Sequence, residues 1–117
     1  LELGVEVETA RIVREPDGLA MSSRNAYLSP EERAQAVGLH HALTAASRLW
    51  GGEGTHAERL IEEVRRVIGQ YPLLELQYAQ AVHPATLEPV ATAGPGTILA
   101  LAAFCGTTRL IDNMELA

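Results

Sequence analysis

Residues 18–32 read GLAMSSRNAYLSPEE and place two hydroxyls, a guanidinium and an amide side by side. Ser22 and Ser23 each supply a hydroxyl group. Arg24 supplies a planar cation suited to bidentate contacts with phosphate, and Asn25 adds an amide. A loop of this kind can wrap phosphate groups with main-chain N–H groups as well as side chains. The alternative interpretation is a polar linker whose serines only complete a turn, and the residues alone do not separate the two.

The other residues with reactive side chains are predicted to be structural. His40 and His41 are neighbours in a helical pattern, and neither has a partner at four-residue spacing that would complete a metal pair. Cys105 follows an apolar run, so we expect a buried, inert thiol and no metal site. Asp112 and Asn113 are predicted to hydrogen-bond the backbone of a closing hairpin. The sequence has no lysine, which excludes Schiff-base chemistry from this chain.

Composition places the chain among globular proteins. It has 117 residues, of which 47% are hydrophobic, and a formal net charge of -6. The negative charge argues against non-specific nucleic-acid binding, which needs surplus cations to neutralise phosphates. The longest apolar run, residues 98–105, is far shorter than the ~20 residues of a membrane-spanning helix. A lone cysteine cannot form an internal disulfide, so we expect a cytoplasmic protein. From the negative charge and the short apolar run we expect neither a nucleic-acid nor a membrane partner.

The first part of the chain is predicted to be a strand followed by an ordered loop. Residues 3–13 alternate apolar and charged side chains, the period of a half-buried strand. The chain opens at Leu1 directly into this pattern, so we expect it to be part of a longer protein. Pro16, Asp17 and Gly18 then predict a turn, because proline presets φ and glycine accepts positive φ. Residues 14–28 are predicted to form an ordered loop.

Two helices are predicted next. Ser29 is the expected N-cap of the first, with Glu32 completing a capping box, and the apolar stripe continues to Trp50. Thr55 is the expected N-cap of the second, with Glu58 three residues later. The stripe of this helix ends near residue 68.

Strand periodicity dominates the remaining sequence. Residues 73–82 and 108–116 alternate in polarity, and residues 97–104 form the continuous apolar run of a central strand. Only three residues separate the last two segments, which predicts a hairpin. The expected fold class is therefore α+β, with two helices packed on one face of a small three-stranded antiparallel sheet.

Two motifs resemble one known family. The stretch REPDGLAMSSRNAYLSPEER resembles the region of the pantothenate synthetases (pantoate:β-alanine ligases) that joins their two domains, and GTTRLIDNMEL resembles the end of their chains. The resemblance implies that residues 1–13 end an N-terminal Rossmann-like domain or form a linker strand. Residues 14–117 would then be the C-terminal lid domain of a nucleotidyltransferase-superfamily enzyme. The family's His-x-Gly-His signature is absent here, so the isolated chain is expected to be inactive.

The resemblance also implies chemistry and site residues. The family uses Mg²⁺ and ATP to adenylate pantoate with release of pyrophosphate, and β-alanine then displaces AMP to give pantothenate. Carried over to this sequence, Arg24, Ser22 and Ser23 would be catalytic, and they would bind ATP together with Met21 and Val13. Val13 would contact the adenine through its backbone. A cytoplasmic homodimer is implied for the intact enzyme. The alternative is a non-catalytic nucleotide-binding or association module.

Overall fold

The computed structural model describes residues 13–51 and 55–116, so most of the strand predicted at residues 3–13 lies outside the described residues. The described part contains a 3₁₀-helix, three α-helices and five strands. In chain order these are the 3₁₀-helix Ser23–Tyr27, α1 Pro30–Ala36, α2 Gly38–Leu49, β1 Thr55–His56, α3 Ala57–Ile68, β2 Leu74–Val82, β3 Thr92–Ala93, β4 Ile98–Cys105 and β5 Thr108–Glu115.

The main sheet is antiparallel, with strand order β2-β4-β5. Its central strand β4 is the continuous apolar run, and Ala102 pairs with Tyr78 of β2 and with Ile111 of β5. The hairpin predicted between the last two strands turns at Gly106, which has φ +63°. A separate two-stranded ribbon pairs β1 with β3. The predicted α+β fold with a three-stranded antiparallel sheet is confirmed.

The core lies between the sheet and the helices α2 and α3. Leu39 and Leu43 of α2, Leu60 and Val64 of α3, and Leu101 of β4 are all almost fully buried within one cluster. The helical stripes read from the sequence therefore face the sheet, as expected for amphipathic elements. One edge of this arrangement, strand β5, remains available to the residues that precede α1.

The first predicted helix consists of two segments, α1 and α2, with Val37 between them. Gly38 opens α2 at a point of close packing. A Cβ built on this glycine would lie 2.7 Å from a Leu74 side-chain atom and 2.8 Å from the Tyr71 ring. Glycine permits this approach because it has no Cβ. Its low helix propensity is consistent with the break between α1 and α2 at this point.

The two predicted N-caps have opposite outcomes. The Ser29 hydroxyl accepts a bond of 3.1 Å from the Glu32 N–H, and the Glu32 carboxylate accepts one of 2.9 Å from the Ser29 N–H. This capping box confirms the first prediction. The prediction for Thr55 is wrong, because Thr55 lies in β1 and His56 takes the N-cap position of α3. The Ala57 N–H donates instead to a loop carbonyl of Ala91 at 2.9 Å, which replaces a side-chain cap.

Candidate functional site

Residues 13–21 form a tight antiparallel hairpin ahead of the helices. The Gly18 N–H donates to the Glu15 carbonyl, and the Met21 N–H donates to the Val13 carbonyl, both at 2.8 Å. Gly18 has φ +99°, a conformation that favours glycine. The predicted Pro16 turn is thus confirmed, and it brings Val13 beside the start of the Ser-Ser-Arg motif.

The motif itself is a short, ordered helical turn. The Ser22 hydroxyl accepts a bond of 3.1 Å from the Arg24 N–H and caps the 3₁₀-helix. The Asn25 amide donates to the Ala20 carbonyl at 3.1 Å, which fixes the motif to the hairpin. Within residues 13–51 and 55–116 the Ser23 hydroxyl makes no hydrogen bond, and Ser23 is exposed. The motif therefore presents polar groups from a fixed backbone rather than from a loose linker.

Strand β5 holds the hairpin and the motif at two points. The Arg14 guanidinium forms a bidentate pair with the Asp112 carboxylate at 2.8 and 2.9 Å. Arg14 also donates to the carbonyls of Gly18 at 2.8 Å and Asn113 at 3.3 Å. The second point is Arg24, whose Nη1 donates to the Arg109 carbonyl at 3.3 Å.

The turn of the hairpin rests on α1 and α2. Asp17 pairs with the Arg33 guanidinium at 2.9 and 3.2 Å, and this hydrogen-bonded pair lowers the pKa of Asp17. The His40 imidazole lies directly beneath Gly18, so close that a Cβ at this position would collide with the ring. Burial is the main cause that lowers the pKa of His40, and the nearby Arg14 cation lowers it further.

A cleft of about 550 Å³ is lined by residues of the motif and of β5. Two apolar side chains of its lining, Val13 and Met21, are 63% and 51% exposed. Apolar surface beside a cation and hydroxyls suits a ligand with a planar ring and an anionic group. The lining residues are Val13, Leu19, Ala20, Met21, Ser22, Arg24, Asn25, Leu39, Arg109, Leu110, Ile111, Asp112 and Asn113.

Four of the five predicted site residues line this cleft, namely Val13, Met21, Ser22 and Arg24. Ser23 lies between two of them in the chain but is not among the lining residues. Sequence reasoning found the motif and missed its anchor on β5. Because Arg14 and Asp112 are 98 positions apart in the sequence, no local pattern could pair them.

A signal for the missed contact was nevertheless present. The alternation of β5 places Asp112 on the same face as the buried Leu110, and the carboxylate side chain is only 1% exposed. A charged residue at a core-facing strand position requires a buried cationic partner. Asp112 also accepts the expected local bond, from the Asn113 N–H at 2.8 Å, but its main partner is Arg14.

The single cysteine lies outside the cleft. Cys105 is fully buried, as predicted, and burial raises the pKa of its thiol. Its Sγ donates to the Glu32 carbonyl at 3.5 Å. Among the described residues, no group of three or more His, Cys, Asp or Glu side chains is arranged to hold a metal ion. The helices described also include none with the length and apolar character needed to cross a bilayer.

Comparisons with known proteins agree with one another. The family model for pantoate-beta-alanine ligase matches residues 1–115. The pantothenate synthetase of Trichlorobacter lovleyi is 49% identical over 116 residues, and that of Thermotoga petrophila is 45% identical over 116 residues. In both cases the match covers 99% of this chain and 41% of the relative, so the chain spans about 41% of the length of these curated relatives.

Solved structures give the same result for the fold. The pantothenate synthetase of Thermus thermophilus superposes with a TM-score of 0.81 at 37% identity, covering 90% of this chain and 38% of that one. The pantoate-beta-alanine ligase of Francisella tularensis, solved in complex with beta-gamma ATP and beta-alanine, gives a TM-score of 0.54 at 24% identity. It covers 90% of this chain and 31% of that one, and it bears on the fold alone. On the family match and these relatives together, the chain belongs to the pantoate-beta-alanine ligase family.

Proposed function

We propose that residues 14–117 are the C-terminal lid domain of an ATP-dependent ligase that condenses pantoate and β-alanine to pantothenate. The observation that carries the proposal is the cleft, whose lining combines Arg24 and Ser22 with residues of β5 and with the exposed Val13 and Met21. Its volume of about 550 Å³ is within the ~300–1,000 Å³ typical of small-molecule sites. Membership of the ligase family supplies the substrate class.

The proposed reaction has two steps. Pantoate's carboxylate oxygen attacks the α-phosphorus of ATP, and the bond to the bridging oxygen breaks to release pyrophosphate. The β-alanine amine then attacks the acyl carbon of pantoyl adenylate, AMP departs with the bonding pair, and the amine loses a proton. The protein's task in the first step is to stabilise negative charge that develops on the leaving pyrophosphate.

Arg24 is suited to that task. One of its N–H groups reaches the Arg109 carbonyl at 3.3 Å, and a guanidinium has five N–H donors in a planar fork. The remaining donors match the geometry of phosphate oxygens. Ser22 and Ser23 would orient the phosphates by hydrogen bonds rather than act as nucleophiles, because neither hydroxyl contacts a histidine or carboxylate in the described residues.

Val13 and Met21 would hold the adenine. The Val13 carbonyl already accepts the Met21 N–H, and a carbonyl oxygen has a second lone pair for another donor. The exposed side chains of both residues offer apolar surface on which a planar ring can lie.

The residues described do not fit a protein-bound Mg²⁺ site. Asp112, the carboxylate that lines the cleft, is committed to the Arg14 guanidinium. We therefore assign no step to Mg²⁺ held by this domain and propose that the ion binds together with the triphosphate. An N-terminal Rossmann-like domain would supply the rest of the pocket, in a cytoplasmic homodimer.

The test uses the full-length ligase with Mg-ATP, pantoate and β-alanine, and measures AMP release. Arg24→Ala should lower kcat by about 100-fold or more, as expected for losing one transition-state donor. Arg48→Ala is the matched control, because Arg48 is an exposed arginine of α2 outside the cleft. Unimpaired AMP release by the Arg24 variant would contradict the site assignment. Nucleotide binding by the wild type without any AMP release would favour the association module.

A further inference from the structure

We propose that the Arg14–Asp112 ion pair is a positioning device that sets the place of Arg24 and the Ser-Ser-Arg motif over the cleft. The inference rests on the proposed function, because it assigns a role within that nucleotide site. Neither residue needs to touch the nucleotide for this role. Arg14 and Asp112 would affect the reaction by holding Arg24 in position.

Arg14 connects several parts of the molecule through its guanidinium. Its guanidinium contacts both oxygens of Asp112 and the carbonyls of Gly18 and Asn113, at distances from 2.8 to 3.3 Å. Arg14 lies on the first strand of the hairpin and Gly18 lies in its turn. One side chain therefore fixes the hairpin to β5 and also ties the hairpin strand to its own turn.

Ala20 connects the hairpin to the motif. Ala20 forms an antiparallel bridge with Arg14, and its carbonyl accepts the Asn25 amide at 3.1 Å. Any shift of the Arg14 backbone is thus passed through Ala20 to the helical turn that carries Arg24. Only three residues, Met21, Ser22 and Ser23, lie between Ala20 and Arg24.

Arg14 and Arg24 both bind the same edge of β5. The carbonyls of Arg109 and Asn113, which accept from Arg24 and Arg14, are four residues apart and point to the same side of the strand. Extended backbone places them about 13 Å apart. The two arginines are therefore set at a fixed spacing along one strand, and the part of β5 between them, residues 110–112, lines the cleft.

The burial of the Asp112 carboxylate also opposes any displacement of Arg14. The Asp112 side chain is 1% exposed, so a displaced Arg14 would leave a buried and uncompensated carboxylate. This cost keeps the hairpin in one position with respect to β5. The ion pair of Asp17 with Arg33 at the turn is more exposed and does not reach β5.

The test is made in the full-length ligase with Asp112→Asn, which keeps the shape of the side chain and removes its charge. We expect kcat/KM for ATP to fall about 10-fold or more, because small misplacements of binding groups reduce rates strongly. KM for β-alanine should change much less. Glu63→Gln is the matched control, since it breaks the bidentate pair of Glu63 with Arg66 on α3, away from the cleft. That variant should behave as the wild type.

A double-mutant cycle separates positioning from general stability. If Asp112 acts through Arg24, Asp112→Asn should have little further effect on kcat/KM for ATP once Arg24 is alanine. Undiminished loss in the Arg24→Ala background would overturn the proposal. Arg14→Lys serves as the second variant should Asp112→Asn fold poorly, because lysine keeps the charge but cannot make the bidentate contacts.

The two proposals fail in different ways. An Arg24→Ala enzyme with normal activity contradicts the proposed function itself. An Arg24→Ala enzyme that is impaired, beside an Asp112→Asn enzyme with unchanged kcat/KM for ATP, contradicts only the positioning role.

Discussion

His40 shows how a single residue links the core to the hairpin. Its ring is half-buried beneath Gly18, close to Arg14 and Asp112. Its Nδ1 atom is buried and has no hydrogen-bond partner in the described part of the molecule. Burial and the neighbouring Arg14 cation both oppose a second positive charge at this place. The neutral imidazole is therefore the form that fits the fold.

We predict that this histidine makes stability depend on pH. Since the pKa of His40 is lowered in the folded protein from an ordinary value of 6.5, the unfolded chain binds more protons once the pH falls below that value. The free energy of unfolding should decrease as the pH falls from about 7.5 to about 5. Denaturant unfolding of the wild type and of His40→Gln at both pH values checks this. The decrease should be smaller in His40→Gln.

The control is His56→Gln, because His56 is an exposed histidine with no side-chain cap contact. That variant should keep the wild-type dependence on pH. An equal loss of stability on acidification in His40→Gln and the wild type would refute the role given to His40.

The elements around the cleft differ in how directly the sequence specifies them. Helix α1 begins at Pro30, as Ser29, Pro30 and Glu32 predict, because a capping box is a contact between residues three positions apart. Each strand of the main sheet begins and ends within one residue of the predicted segment, because alternation and an apolar run are patterns of adjacent residues. The Thr55 cap failed because pairing between β1 and β3, which joins residues far apart in the chain, satisfied the helix start instead.

The candidate site also combines features that depend on adjacent residues with contacts between residues far apart in the sequence. Residues 13–25 were predictable as a turn followed by a polar motif, since both depend on adjacent residues. The position of β5 beside them was not, because the contacts of Arg14 with Asp112 and of Arg24 with Arg109 join opposite ends of the chain. Only a buried carboxylate in an otherwise apolar strand face indicated that a distant cation was needed.

We predict that the α1 cap contributes measurably to stability. Ser29→Ala removes the hydroxyl that accepts the Glu32 N–H, and it should lower the free energy of unfolding by about 1 kcal/mol. Denaturant titration followed by circular dichroism measures this. Ser47→Ala, within α2, is the control and should be close to neutral, since alanine favours helix. A Ser29→Ala protein as stable as the wild type would show that the box is not needed.

At the scale of the whole molecule, the described residues are compact. The Cα radius of gyration is 13.5 Å, close to the ~13 Å expected of a folded domain of this length. A buried cluster runs continuously from Leu19 to Leu116, so the hairpin and the last strand share one core. Under the proposed function, this unit holds only one side of the active site.

We therefore predict that the 117-residue chain alone forms no pantothenate. Incubation with Mg-ATP, pantoate and β-alanine, followed by detection of pantothenate and AMP, should give no product above the background. The full-length ligase, assayed in parallel, is the positive control. Product formation by the isolated chain that depends on both ATP and β-alanine would contradict the division of the active site between two domains.

The long sequence separation of Arg14 and Asp112 has a consequence for how the molecule assembles. Closing a loop of nearly the whole chain is entropically costly, and such contacts form only when other structure has brought the ends together. The hairpin of residues 13–21 would then take its final place only after β5 has paired with β4. In a partly synthesised chain that stops before Asp112, the Ser-Ser-Arg motif would be present but not yet aligned with β5.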